Sequence, residues 1–192
     1  MKKMLPLVFL TFGVVMILGG ITLKLKTLEN KIVEEKKEDD TKCMTAFLDG
    51  NYSIFNVVFD DKKVSFDFLN CNLEEKKELN KYYLYSPNKG FNLEIYLNSS
   101  SVSSTALEIF DKISENEYYL GNVISLNSYV DDKGELYRII DIIPEDKLNL
   151  EREYVMVRTL EKGKSIVFRV YLKYGGNDEE FYKTLFDSIK IQ

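Results

Sequence analysis

The stretch Ser165-Ile-Val-Phe-Arg-Val-Tyr-Leu-Lys-Tyr174 decides the fold of this chain, because its apolar and polar residues alternate. Ile166, Phe168, Val170, Leu172 and Tyr174 fall on one side, and Arg169, Tyr171 and Lys173 fall on the other. This period of two is typical of an antiparallel strand with one face on a core and one face in solvent. We therefore start from a sheet and ask which segments join it.

Seven further segments carry strand patterns. They are Tyr52–Phe59, Val64–Phe68, Tyr82–Tyr85, Phe91–Leu97, Tyr118–Val130, Glu135–Ile143 and Arg152–Leu160. Short turns rich in Gly, Asp or Asn, at 60–63, 87–90, 131–134 and 161–164, join neighbouring strands. Gly121-Asn122, inside the longest segment, is either a two-residue turn or a bulge in one long strand, and we favour the bulge.

Two main helices are predicted. Thr105 and Glu108 form a capping box ahead of an apolar face made by Leu107, Phe110 and Ile113. Asn177 or Asp178 caps a second helix that turns Phe181, Leu185 and Phe186 inward. A short helical turn follows Asn72, with Glu75 completing its cap, and Ser188–Ile191 forms a short final strand. The predicted fold class is α+β, an antiparallel β-sheet domain with two main helices.

The order of elements from residue 82 onward resembles a known superfamily. It is carried by Tyr85-Ser86-Pro87-Asn88-Lys89-Gly90-Phe91, Ala106-Leu107-Glu108, Tyr118-Tyr119, Gly134-Glu135-Leu136-Tyr137 and the terminal Ser188-Ile189-Lys190, where Ile189 stands where Phe is common. In this order the chain resembles the PsbP/Mog1-like superfamily over residues 82–192. The resemblance implies an α-β-α sandwich that serves as a binding or accessory module without a catalytic set. Met44 to Cys71 has no counterpart there and is expected to extend the sheet by a hairpin.

Residues 4–23 carry no charged side chain. As a helix at about 1.5 Å per residue they would span about 30 Å, the thickness of a bilayer core. We predict a transmembrane signal anchor over residues 1–23, with a cleaved signal peptide as the alternative. The domain that follows, residues 44–192, is expected outside the membrane, because a short N-terminus led by Lys2 and Lys3 is the usual start of an exported chain. The composition is rich in Lys, Ile and Asn and lacks Trp and His, which indicates a bacterial source.

Residues 24–43 are predicted to form a charged juxtamembrane linker that is partly helical. Leu18, Ile21, Leu25, Leu28 and Ile32 follow a 3-4-3-4 spacing, so the membrane helix either continues outward along this apolar stripe or frays into the charged run. The stripe could support a homodimer, although it lasts only two heptads. Cys43 and Cys71 are the two cysteines of the chain. They form a disulfide in an oxidising compartment or remain two free buried thiols, and both readings stay open.

The composition excludes several classes of chemistry. The chain has no His, so sites built on imidazole are absent, and its net charge of −5 argues against a basic nucleic-acid-binding surface. Nucleophile-elbow, phosphate-loop and dinucleotide motifs are missing from the sequence. The acidic pairs at 39–40, 60–61 and 131–132 are interpreted as turn formers rather than metal ligands. We therefore predict no catalytic residues, no metal and no cofactor.

The tyrosines are the most informative side chains for function. All 13 lie after residue 51. Tyr96 and Tyr171 fall on the polar faces of otherwise regular strands, and the doublets 82–83 and 118–119 each place one ring outward. We select Tyr96, Tyr171, Tyr82 and Tyr118 as candidate contacts for a protein or glycan partner. The competing interpretation is that Tyr simply suits half-buried strand positions.

These observations favour a membrane-anchored, extracytoplasmic, non-enzymatic binding or accessory protein. Its expected partners are the lipid bilayer, through residues 4–23, and an unknown envelope protein or glycan. The alternative is a structural or assembly subunit of an envelope complex that self-associates through its N-terminal helix. A third interpretation is an exported hydrolase with Ser-Lys or carboxylate chemistry.

Overall fold

The computed structural model describes residues 30–31, 42–87, 90–131, 133–145, 151–173 and 179–192. Residues 1–39 and 40–192 are separate compact units, and in the first of them residues 30–31 are helical. The described part of the second unit contains three helices and ten strands. The helices are α1 (42–48), α2 (Val102–Ser114) and α3 (Glu179–Ser188). The strands are β1 (Tyr52–Phe59), β2 (Lys62–Leu69), β3 (Glu74–Glu78), β4 (Lys81–Tyr85), β5 (Phe91–Asn98), β6 (Asn122–Val130), β7 (Leu136–Pro144), β8 (Arg152–Glu161), β9 (Lys164–Leu172) and β10 (Lys190–Ile191).

Seven of the strands form one antiparallel sheet in the order β3-β4-β5-β9-β8-β7-β6. The alternating stretch that opens the sequence argument is β9, which lies at the centre between β5 and β8. Ile166, Phe168, Val170 and Leu172 of this strand are completely buried on one face. The large sheet is therefore organised around the segment with the clearest period of two.

The other three strands form a small antiparallel sheet, β1-β2-β10, that packs against this buried face. The ring of Phe66 on β2 meets Phe168 on β9 at 6.1 Å, and Phe68 meets Phe181 of α3 at 6.2 Å. Phe47 of α1 packs on Phe181 at 5.0 Å in the same cluster. The main core thus lies between two sheets, with α1 and α3 contributing to it.

Helix α2 packs on the opposite face of the large sheet. Its buried residues Val102, Ala106 and Ile113 contact Ile140 and Val155, among others, in a second apolar cluster. The helix begins after Ser101, whose Oγ accepts from the backbone N–H of Ser104, so the predicted capping box at Thr105 is wrong. Thr105 instead lies inside the helix and shares a buried hydrogen bond of 2.8 Å with Ser165.

The structure corrects the predicted fold class. Within the described residues, strands outnumber helices and form two antiparallel sheets, with three helices, so the fold is mainly β rather than α+β. Met44 to Cys71 does not extend the large sheet, because β1 and β2 form a second sheet that stacks on it. The α-β-α sandwich implied by the resemblance to PsbP/Mog1-like proteins is wrong for the same reason, since a sheet occupies much of one outer layer.

The predicted anchor is also corrected. Residues 4–23, together with most of the 24–43 linker, lie outside the described residues. Among the residues that the structure does describe, no helix is long and apolar enough to span a membrane. The predictions of a single-pass signal anchor, and of an extracytoplasmic location that depended on it, are therefore not supported.

Three local predictions differ from the structure. The segment Tyr118–Val130 is not one long strand, because Glu117–Tyr119 form a 3₁₀ turn and β6 starts only at Asn122. Gly121 between them has φ of 81°, which suits glycine, and it is neither a bulge nor a hairpin turn. The expected helical turn after Asn72 is replaced by strand β3, which pairs with β4. In contrast, the inward positions of Phe181, Leu185 and Phe186 are confirmed.

Candidate functional site

Helix α2 covers only part of its face of the large sheet. Its main contacts are with β6, β7 and β8, and fewer are with β9. The part formed by β3, β4, β5 and the end of β9 lies beyond the helix, and side chains there line open cavities. The uncovered part of this face is where a ligand has access to the sheet.

Strand pairing aligns three rows of side chains on this face, because directly opposed residues of antiparallel strands point to the same side. Each row takes one residue from β3, β4, β5, β9 and β8, in that order. The first row is Glu74, Tyr85, Asn92, Tyr171 and Glu153, the second is Lys76, Tyr83, Glu94, Arg169 and Val155, and the third is Glu78, Lys81, Tyr96, Val167 and Val157. On β3 to β5 the residues of these rows are charged or aromatic, apart from Asn92. Two of the three turn apolar on β8, where α2 packs.

We call the uncovered surface the tyrosine face. It comprises Tyr83, Tyr85, Tyr96 and Tyr171 on the strands, with Tyr118 and Tyr119 on the 3₁₀ turn. The turn is held by Asn116, whose Oδ1 accepts from the backbone N–H of Tyr118 at 2.9 Å. The rings of Tyr118 and Tyr119 pack edge to face at 5.0 Å. The chain that leaves α2 thereby adds two rings to those of the sheet.

Glutamates lie beside the hydroxyl groups of three of these rings. Tyr119 donates to Glu153 Oε2 at 3.1 Å, and the hydroxyls of Tyr85 and Tyr171 lie next to the carboxylates of Glu74 and Glu151. Burial and the neighbouring Glu153 raise the pKa of Tyr119 to about 12. Burial and the neighbouring Glu151 likewise raise the pKa of Tyr171 above its ordinary value. These phenols are therefore neutral donors at physiological pH.

The buried Glu153 and the partly exposed Arg169 form the charged centre of the site. Glu153 is only 6% exposed, and its Oε1 accepts from Nε of Arg169. Nη2 of Arg169 donates to the hydroxyl oxygen of Tyr119, which in turn donates to Glu153. Burial opposes the charge on Arg169, but the Glu153 carboxylate outweighs it, so the pKa of Arg169 lies above its ordinary value. Charge-assisted hydrogen bonds therefore hold these three side chains in place.

Two further cations of the face, Lys81 and Lys76, are paired as well. Lys81 Nζ lies 2.7 Å from Glu94, between the rings of Tyr96 at 5.3 Å and Tyr83 at 6.0 Å. Lys76 Nζ lies 2.6 Å from a carboxylate oxygen of Glu78 and 5.8 Å from the ring of Tyr83. Each positive charge named here is thus compensated by a carboxylate next to it.

Three cavities meet on the tyrosine face at Tyr171. One, of about 570 Å³, is lined by Lys76, Tyr83, Tyr85, Phe91, Asn92 and Tyr171. The second, of about 480 Å³, includes Asn92, Glu94, Tyr118, Glu153, Arg169 and Tyr171. A third of about 200 Å³ lies between the 3₁₀ turn and β8 and also includes Tyr171. Because Asn92 and Tyr171 border the two larger cavities, these adjoin each other, and we refer to them together as the groove.

The structure brings together most of the tyrosines chosen from the sequence. Tyr171 lies at the centre of the groove, Tyr118 is 71% exposed at one end, and Tyr96 lies half-buried beside α2. The selection of Tyr82 is wrong, because this ring is 2% exposed and belongs to the main core. Tyr82 shares the inward face of β4 with Leu84, so its neighbour Tyr83 takes the outward position.

Sequence reasoning missed Tyr83, Tyr85, Tyr119, Glu153 and Arg169. The alternation around Leu84 was a sufficient signal for Tyr83 and Tyr85, since residues on either side of an inward leucine point outward. No local signal identified the cluster of Tyr119, Glu153 and Arg169, because it depends on the pairing of β8 with β9 and on the position of the 3₁₀ turn.

The two cysteines lie away from this site. Cys43 of α1 and Cys71, just after β2, form a disulfide, and both pack against the main core. The covalent bond ties α1 to the end of the small sheet. It belongs to the scaffold rather than to the tyrosine face.

The acidic pairs act as turn residues where the structure describes them. Asp60 and Asp61 adopt φ of 45° and 64° in the turn between β1 and β2, a conformation that Asp tolerates better than most residues. Asp131 Oδ1 accepts two backbone N–H groups, and its Oδ2 accepts from Arg158 at 2.6 Å. Within the described ranges, no group of three or more Cys, Asp or Glu is placed to hold a metal ion.

Comparisons with known proteins identify no family for this chain. No family model and no curated protein matches it. A solved structure from Bacteroides thetaiotaomicron VPI-5482 is similar over 67% of this chain, with 10% sequence identity and a TM-score of 0.34. This chain spans 45% of the length of that protein. The proposals below therefore depend on the site alone.

Proposed function

We propose that this protein is a non-enzymatic binding module that takes its ligand on the tyrosine face. The observation that carries the proposal is the convergence of five tyrosines, from two strands and a turn, on a groove centred at Tyr171. Aromatic rings supply large contact areas at a low entropic cost, and Tyr is enriched where binding energy is concentrated. The groove has the concave shape and the mixture of rings and polar groups that ligand sites share.

The arrangement of the polar groups supports binding rather than turnover. Tyr119, Tyr171 and Tyr85 have pKa values above the ordinary value, so their hydroxyls are poor bases and poor nucleophiles at neutral pH. Glu153 is held by two donors, Arg169 and Tyr119. Side chains that are fixed in this way lose little freedom when a ligand arrives, which favours affinity.

The test measures shifts in the ring-¹³C signals of the tyrosines on addition of a ligand. The full chain is labelled with ring-¹³C tyrosine and titrated with three probe sets: neutral oligosaccharides, uronic-acid oligosaccharides and unstructured peptides. Binding on the tyrosine face shifts the signals of Tyr83, Tyr85, Tyr96, Tyr118, Tyr119 and Tyr171. The Tyr171→Ala variant should bind at least about tenfold more weakly, the effect of removing a central aromatic contact.

Tyr129→Ala is the matched control. Tyr129 is 41% exposed on β6 of the same sheet, and it stacks on Tyr137 at 5.3 Å. Its side chain points to the face opposite the groove, so its loss should leave affinity within about twofold. The proposal fails when no probe set shifts the tyrosine-face signals, or when both variants weaken binding equally.

A further inference from the structure

We propose that the ligand of the tyrosine face is a neutral oligosaccharide chain that crosses Tyr171. This inference rests on the proposed function and adds the chemical class of the ligand. Four features of the described residues carry it: the compensation of charge, the polar groups around the rings, the neighbouring sheet edge and the length of the groove.

The charges of the face favour a neutral ligand. Arg169 is paired with Glu153, Lys81 with Glu94, and Lys76 with Glu78. An anionic chain would meet carboxylates beside every one of these cations. A cationic chain would likewise meet cations beside Glu153, Glu94 and Glu78. Glu151 and Lys173, which carry opposite charges, line one of the two cavities. Electrostatic complementarity therefore points to a ligand that carries no net charge.

The polar groups around the rings suit a chain of hydroxyl groups. A sugar hydroxyl both donates and accepts, so it can satisfy carboxylates, amides and guanidinium groups alike. Asn92 is exposed in the middle of the groove, between Tyr85 and Tyr171 in the same row. Glu94, Glu153 and Arg169 line the adjoining cavity. The rings beside them offer flat apolar surfaces to the C–H faces of pyranose rings.

The edge of the sheet next to the groove disfavours an extended peptide. Peptides that bind to sheets gain much of their affinity by adding a strand to a free edge. Here the edge strand is β3, in which all five residues are charged and exposed. Charged edge strands are a common protection against strand addition. A ligand that lies across the strands, and recognises side chains only, fits this surface better.

The length of the groove calls for more than one sugar unit. The cavities of about 570 Å³ and 480 Å³ share Asn92 and Tyr171; the first also reaches Lys76 on β3, and the second also reaches Tyr118 on the 3₁₀ turn. A ligand that fills both cavities contacts rings on each side of Tyr171. An oligosaccharide should therefore bind at least about tenfold more tightly than the corresponding monosaccharide.

Calorimetric titration of the full chain with the neutral and uronic-acid oligosaccharides tests the inference. At least one neutral oligosaccharide should bind. Its Kd should change less than about twofold when ionic strength rises from about 0.01 M to 1 M, a range over which the Debye length falls from about 30 Å to 3 Å. Asn92→Ala and Tyr171→Ala should each weaken binding at least about tenfold, and Tyr129→Ala should not.

The outcomes separate this inference from the proposed function. Preferential binding of uronic-acid oligosaccharides or of peptides, with shifts at the same tyrosine signals, overturns the neutral-glycan inference and leaves the binding module standing. A neutral oligosaccharide that binds without sensitivity to Asn92→Ala and Tyr171→Ala overturns both. If no probe shifts the signals of the tyrosine face, the neutral-oligosaccharide inference and the proposed function are both overturned.

Discussion

Replacing Glu153 by glutamine removes the carboxylate that fixes the centre of the tyrosine face. The side chain of Glu153 is 8% exposed, and that of its partner Arg169 is 33% exposed. Breaking one side of a fully buried ion pair costs about 3–5 kcal/mol, because an unpaired charge stays buried. Solvent reaches a third of Arg169 and recovers part of this loss. We therefore expect Glu153→Gln to lower the free energy of unfolding by about 2–3 kcal/mol.

The assay is equilibrium unfolding in urea, followed by circular dichroism, at neutral pH. The expected loss corresponds to a fall in Tm of about 5–10 °C for a domain of this size. Glu108→Gln is the matched control, since Glu108 makes an exposed salt bridge to Lys112 at 2.6 Å along α2. Exposed helical pairs contribute about 0.3–0.5 kcal/mol. Equal effects of the two substitutions would refute the description of Glu153 and Arg169 as a structural centre.

A double-mutant cycle extends this test to Tyr119. Tyr119→Phe removes the hydroxyl that donates to Glu153 and accepts from Arg169, and we expect it to cost about 1 kcal/mol alone. Since the three groups share one network, the double variant with Glu153→Gln should differ from additivity by at least about 0.5 kcal/mol. Strict additivity would show that Tyr119 does not belong to the network.

Three further predictions concern the scaffold and its titration. Cys43→Ser or Cys71→Ser should each lower the free energy of unfolding by about 3–4 kcal/mol, because the disulfide closes a loop of 28 residues in the unfolded chain. Reduction of the wild-type disulfide should have the same effect, and an unchanged urea midpoint would contradict this. The pKa of Tyr119 is raised to about 12 in the folded protein, above its ordinary value near 10. Its contribution to the free energy of unfolding is therefore complete below pH of about 10 and is lost as the pH rises through about 12. In a spectrophotometric titration, Tyr119→Phe should remove one late-titrating group, and an unaltered late phase would rule out the assignment. Phe168→Ala, at the contact between the two sheets, should lower the free energy of unfolding by about 3–5 kcal/mol. Val58→Ala, on the exposed side of β1, should change it by no more than about 0.5 kcal/mol. Comparable losses for the two variants in urea unfolding would argue against the stacked-sheet core.

The strands of the large sheet could be predicted from the sequence because their signal is local. Phe91, Leu93 and Ile95 alternate with polar residues, and the same period marks β9. The inward face of α3 was equally readable, since Phe181 and Leu185 are four residues apart and both are fully buried.

The assignment of β1 and β2 to a second sheet could not be predicted. A hairpin that extends a sheet and a hairpin that stacks on one carry the same alternation. The choice depends on distant contacts, such as Phe66 with Phe168 and Phe68 with Phe181. Tertiary contacts also decided β3, where Asn72 and Glu75 favour a helical cap locally but the segment pairs with β4 instead.

The candidate site could be predicted only in part from the sequence, for a related reason. Tyr171 and Tyr96 stood out because they interrupt regular strands, and both lie on the face that α2 leaves partly uncovered. The sequence pattern places Tyr119 in the predicted strand Tyr118–Val130. Its contact with Glu153 and Arg169 needs the end of α2, the 3₁₀ turn and two strands to be placed together.

The most direct test of the central claim is the affinity of the Tyr171→Ala variant for whichever neutral oligosaccharide the wild type binds, compared with that of Tyr129→Ala. We predict that Tyr171→Ala weakens the Kd at least about tenfold, with the tyrosine-face signals no longer shifting, while Tyr129→Ala binds as the wild type does. Equal affinity of all three proteins would contradict the assignment of the tyrosine face as the binding site.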